Sequence, residues 1–120
     1  QRVGQQQFRD ALLKYWNGRC AITGVRVPAL LRASHAKPWK DATDAERLDV
    51  HNGLLLTAHL DAAFDAGLIT LMADGSCRVS SQLDTTARRV LALDSHAPRV
   101  ELSAAHEPYL DWHRTRGFEP

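Results

Sequence analysis

Between positions 35 and 65 the chain sets His35, Asn52, His59, Asp61 and Asp65. An imidazole with an ordinary pKa of about 6.5 can take a proton from water at neutral pH. Asp61 and Asp65 are four residues apart, so on a helix they project the same way, one turn from each other. Paired carboxylates repel unless something positive lies between them, and their hard oxygens suit Mg²⁺ or Mn²⁺. A plainer reading is equally open. Carboxylates early in a helix complement its dipole, Asp65 can pair with an arginine, and a single histidine such as His35 is commonly a packed or surface residue. His59, two positions before Asp61, faces away from it in a regular helix and reaches inward only if the helix begins later.

Positioning these groups requires a strand that ends at His35, a loop, and a second strand that runs into a short helix. "CAITG" and "RVPALLRASH" carry β-compatible residues broken by Gly24 and Pro28, and they predict a turn and then an extended segment finishing at His35, with Pro38 preventing helix beyond it. "KDATDAERLDVH" is polar and acidic, a surface loop or a short helical turn. "GLLLT", from Gly53, is a candidate buried strand, and Ala58 to Ala66 suits a short helix stopped by Gly67.

Around this centre, Phe8, Ala11, Leu12, Tyr15 and Trp16 recur at helical spacing between Gln5 and Asn17, and Gly18 ends the pattern. "LITLMADGSCRVSS" predicts a hairpin turning at Asp74-Gly75. "SQLDTTARRVLAL" predicts a helix, followed by an extended piece and a final helix starting near Pro108. Phe8, Leu12, Trp16, Ile22, Leu31, Leu54, Leu56, Phe64, Leu68 and Ile69 are the candidate core. His51, His96, His106 and His113 have no metal-ligand partner at recognisable spacing and read as structural or solvent-exposed.

The 120 residues provide for one domain, with no internal repeat and no apolar run able to span a bilayer. A start at "QRVGQQQF", without Met, is compatible with a piece of a larger parent protein that has additional domains. Two cysteines without a dense framework read as reduced thiols, which favours the cytoplasm. A net charge of +1 announces no particular partner. Locally, Arg19, Arg26, Arg32, Lys37 and Lys40 precede the first acid, Asp41, and that stretch is suited either to phosphates or to plain solubility.

The order "CAITG", "SHAKPW", "NGLLL", "HLDAAFDAGLI" resembles the HNH endonucleases and their ββα-metal motif, from Cys20 to about Thr70. The resemblance implies an α+β fold with a ββα-metal core at about 29–67, flanked by N- and C-terminal helices and an additional β-hairpin. It implies a metal-dependent endonuclease of restriction-like type that hydrolyses DNA phosphodiesters, double-stranded DNA in the first instance, leaving 5′-phosphate and 3′-hydroxyl ends. His35 matches the general base and Asn52 the asparagine that pins the loop and aims it. Asp61 stands where many relatives have the metal-binding histidine, and Asp65 where some have a second ligand. His59 ranks below Asp61 because it is two residues early.

Two departures qualify this. Ser34 stands where many relatives carry an acidic ligand, which leaves room for a nucleic-acid-binding module that keeps the fold without cleavage. The Cys-x-x-Cys pairs that hold zinc in many relatives have become Cys20 with Thr23 and Thr57 with Leu60, so no structural zinc is expected. Arg32, Lys37 and Lys40 flank the site as candidate backbone contacts. A double-strand cut by a one-site nuclease would be easiest for a homodimer or by successive nicks. All of this requires the His35 imidazole and an α-helical carboxylate to converge on one phosphate.

Overall fold

Helix α1 covers Gln5–Tyr15 and buries Phe8 and Leu12, two members of the predicted apolar stripe. It stops where Asn17 and Gly18 adopt left-handed backbone, with φ of 56° and 68°. The computed structural model describes residues 4–93 and 99–120. His96 lies outside them.

Pro28–Leu30 form a 3₁₀ turn that delivers the chain into β1, Leu31–His35. β2, Gly53–Thr57, pairs with it antiparallel, setting His35 opposite Gly53, Ser34 opposite Leu54 and Arg32 opposite Leu56. Every residue of β2 is buried, because both faces of the hairpin are covered. Phe8 of α1 stacks on His35, on the face shared by alternate residues 31, 33 and 35. Gly53 makes that packing possible: a Cβ there would lie 2.7 Å from the Phe8 ring and would collide with the Ser34 carbonyl oxygen. On the opposite face lies α3, Ala58–Asp65, which follows β2 without a loop and buries Leu60, Ala63 and Phe64.

Between the strands, Trp39–Asp41 form a 3₁₀ turn and Asp44–Leu48 form helix α2. Thr43 and Glu46 cap α2 reciprocally, a signal present in "TDAE". The predicted hairpin forms as β3, Ile69–Leu71, against β4, Cys77–Val79. Gly67 begins this second unit at φ 77°, and a side chain there would collide with the Gly117 carbonyl. Helix α4 spans Thr85–Val90. At the C-terminus, a 3₁₀ turn at Ala104–His106 leads into α5, Glu107–Trp112, and then a π-helical turn. The final helical region thus begins slightly before Pro108.

The expected core residues are buried, except that Trp16 and Leu68 are only partly so. His113 is held by Thr70 at 2.8 Å and by the Phe64 carbonyl at 2.8 Å, joining α3, β3 and the C-terminus. Among the described residues no helix is long and apolar enough to cross a membrane.

Candidate active site

His35 is the last residue of β1, and three contacts immobilise its ring. Phe8 stacks on it at 3.8 Å between centroids, nearly parallel, and Trp39 meets it edge-on at 5.7 Å. Its Nε2 lies 2.9 Å from the Arg47 backbone oxygen. A carbonyl only accepts, so Nε2 carries the proton and the lone pair of the neutral ring lies on Nδ1.

The loop that supplies that carbonyl is pinned from within by Asn52. This fully buried amide accepts from the Lys37 backbone N–H at 2.8 Å and donates to the carbonyls of Lys37 and Glu46, at 3.3 and 3.1 Å. Its backbone oxygen accepts from Ala36 N–H at 3.2 Å. The side chain therefore spans both ends of the loop, next to the residue that follows His35 and next to the one whose carbonyl holds it.

Lys37 reaches both oxygens of Glu46 at 3.0 Å, so its charge is spent inside the loop. Arg47 lies over Trp39 at 5.0 Å and donates to the Trp39 carbonyl at 2.9 Å. Lys40 is exposed, as is Arg32, which donates to the carbonyls of Ala29 and Leu31.

On the α3 face, the Ser34 hydroxyl lies against the carboxyl of Asp61. Burial holds that carboxyl above its ordinary pKa; Ser34 works against this, Asp65 adds to it, and Arg32 opposes it. Asp65, one turn further on, is exposed. His59 is also exposed, and with α3 already begun at Ala58 it is turned about 200° from Asp61 around the axis. Ser34, Asp61, Asp65 and Arg32 thus form one group, which His59 does not join. Adjacent strand residues project to opposite faces, so His35 and the Ser34–Asp61 pair flank β1 from its two sides and do not meet on one face as the sequence reading expected.

Two carboxylates and a hydroxyl offer the hard oxygens a small divalent cation takes, and at Asp61 burial outweighs the charge of Arg32. Among the described residues no three His, Cys, Asp or Glu side chains cluster to hold an ion by themselves, so water and substrate oxygens would share the coordination. At the zinc-pair positions stand Cys20, Thr23, Thr57 and Leu60. One thiol, two hydroxyls and a leucine do not suit tetrahedral zinc, and Cys20 instead accepts the Thr23 N–H at 3.4 Å.

Sequence reasoning placed Phe8 only in the core and missed the Arg47 carbonyl. A backbone acceptor carries no signal in residue type. A groove of about 240 Å³ runs from His35 past Ala33 and Arg32 to Gln5, Gln6 and Arg9. A larger hollow of about 530 Å³ lies at the far end of α1, lined in part by Leu102 and Ser103, and contains none of the predicted site residues.

These elements make a small α+β domain whose titratable groups gather about one strand of a two-stranded hairpin. Residues 20–72 match the family described as HNH endonuclease. An HNH endonuclease domain is by class a phosphodiester hydrolase. The fold is similar to that of a modification dependent TagI restriction endonuclease, at 16% identity and a TM-score of 0.57 over 88% of this chain. The chain covers 35% of that protein's length. No curated protein sequence matches the chain significantly.

Proposed function

We propose that this domain is a metal-dependent DNA endonuclease of the ββα-metal type, with His35 as general base. The observation that carries the reading is the clamped imidazole: Phe8 fixes its plane and Arg47 its tautomer, in a loop locked by Asn52. A histidine that served only packing would not need its proton placed by so tightly fastened a loop.

The outer edge of β1 is common to both faces of the strand, so a phosphodiester lying across it meets His35 on one side and Arg32 with Asp61 on the other. Nδ1 of His35 accepts a proton from the water that attacks phosphorus. Asp61 and Asp65 hold the cation, Ser34 orients the Asp61 carboxylate, and Arg32 and Lys40 hold the backbone without reading sequence. When bound, Mg²⁺ or Mn²⁺ supplies Lewis-acid stabilisation of charge on the leaving 3′ oxygen. The products are 5′-phosphate and 3′-hydroxyl ends, and double-stranded DNA is the substrate class.

The test is nicking of supercoiled plasmid with Mg²⁺ or Mn²⁺, comparing the parent with His35→Ala. Nicking by the parent and none by the variant supports the reading. DNA binding by both with nicking by neither would instead establish a binding module without cleavage, a second reading favoured by Ser34 at a position where an acid would add a ligand.

A further inference from the structure

We infer that Arg9 and Arg32 form a phosphate clamp along the outer edge of β1, seating a phosphodiester of the bound strand beside the one that faces His35. This rests on the nuclease reading and adds to it a residue from α1, together with the side from which the strand approaches.

The two guanidinium groups are gathered by one atom. Arg9 donates to the Leu31 carbonyl at 2.8 Å and Arg32 to the same oxygen at 2.9 Å, so these nitrogens lie within about 6 Å of each other. Like charges this near repel, and an anion placed between them removes the repulsion. Among the described residues neither arginine forms an ion pair within 4.0 Å, although Asp61 exerts a longer-range pull on Arg32. Second bonds hold each in place, Arg9 to the Pro28 carbonyl at 3.2 Å and Arg32 to the Ala29 carbonyl at 3.1 Å. Each fork keeps further N–H donors, since a guanidinium has five. The geometry is therefore set before any ligand arrives, and bidentate recognition of phosphate is what such forks do well.

Both arginines line the groove that ends at His35, Arg9 from α1 together with Gln5 and Gln6, and Arg32 from β1. The register directs the backbone groups of Leu31, Ala33 and His35 outward: Ala36 N–H bonds inward to Asn52, and Ala21 bonds Leu55 on the far edge of β2. A nucleic-acid backbone following this edge thus passes the two guanidiniums and reaches the imidazole without crossing the core.

The experiment measures binding of a fluorescently labelled DNA duplex by anisotropy over a range of salt, in EDTA so that no cleavage intervenes. Arg9→Gln and Arg32→Gln should each weaken binding several-fold, equally for unrelated sequences, and should reduce the salt slope by about 0.9. Arg9→Lys should keep most of the slope, because the charge remains. Unchanged affinity and slope in both glutamine variants overturns the clamp. Since Arg9 also ties α1 to Leu31, the parent is titrated in parallel with a thymidine dinucleotide, which carries one phosphodiester. The Nε–H resonances of Arg9 and Arg32 should shift together, and no shift overturns the clamp even if a variant fails to fold. A parent that nicks plasmid while its glutamine variants bind normally refutes the clamp and leaves the nuclease standing. A parent that binds through both arginines yet never nicks does the reverse.

Discussion

The side-chain oxygen of Asn52 accepts the backbone N–H of Lys37 at 2.8 Å, fastening two points fifteen residues apart. The same amide donates to two carbonyls, a combination an aspartate cannot reproduce because it has no N–H. Asn52→Ala should cost about 2–4 kcal/mol, since it strands buried backbone groups as well as losing bonds. Asn52→Asp should also be destabilising, as it buries a charge. Urea denaturation measures both, and a loss below about 1 kcal/mol would show that the loop holds without its pin.

Replacing His35 by alanine should lower the nicking rate by about 10²–10⁴ while leaving DNA binding within a few-fold of the parent. The tautomer is separately visible. Nitrogen-15 NMR at pH 8 should find the His35 proton on Nε2, where the Arg47 carbonyl accepts it. A proton on Nδ1 would contradict the placement of the basic lone pair.

Burial, with help from Asp65, holds the Asp61 carboxyl above its ordinary pKa. The folded state therefore binds the proton more tightly than the unfolded chain, and at neutral pH the ionised Asp61 detracts from stability. Asp61→Asn should raise the Tm measured at pH 7 without metal. Mg²⁺ or Mn²⁺ should raise the Tm of the parent and of His59→Ala, but not that of Asp61→Asn. A metal response lost with His59 and kept without Asp61 would reverse the order of these two ligands.

Burial holds the imidazoles of His106 and His113 below their ordinary pKa, assisted at His106 by the charge of His51 and at His113 by Arg114. An unfolded chain takes up protons at these histidines as pH falls through about 6.5, whereas the folded one resists until lower pH. Their contribution to stability is complete above that value and declines below it. Thermal melts from pH 8 to pH 5 should show Tm falling on the acid side, and a flat profile would refute the assignment.

Tyr109 of α5 donates to Asp49 at 2.7 Å, and Asp49 also meets His51 and the turn that presents Asn52. Burial, then the Asp49 carboxylate, pushes the Tyr109 hydroxyl up to about 12. Tyr109→Phe should cost about 1–2 kcal/mol, and hydrogen exchange should show faster opening of residues 49–52. Unaltered exchange there would mean that the C-terminal helix does not support the loop.

The elements around the site were legible because their signals are local. Apolar spacing marks α1, Asp74-Gly75 marks the second hairpin, and Gly67 marks the end of α3. A turn was expected before the strand that ends at His35, but neither its 3₁₀ form at Pro28–Leu30 nor the π-helical turn after α5 had a pattern to announce it. Lys37 illustrates a different limit. Its residue type suits phosphate, but its charge is taken by Glu46, nine positions later and across the fold of the loop.

The sequence by itself determined the order of strand, loop, strand and helix, the residue types that resemble an HNH nuclease, and the four-residue spacing that aligns Asp61 with Asp65. Those follow from periodicity and side-chain chemistry, which act over a turn or two of chain. Only the tertiary structure decided which nitrogen of His35 carries the proton, that Phe8 clamps its ring, and that Arg9 and Arg32 meet at one carbonyl. Each depends on a backbone oxygen or an aromatic face brought in from a distant part of the chain, and such contacts leave no spacing to read.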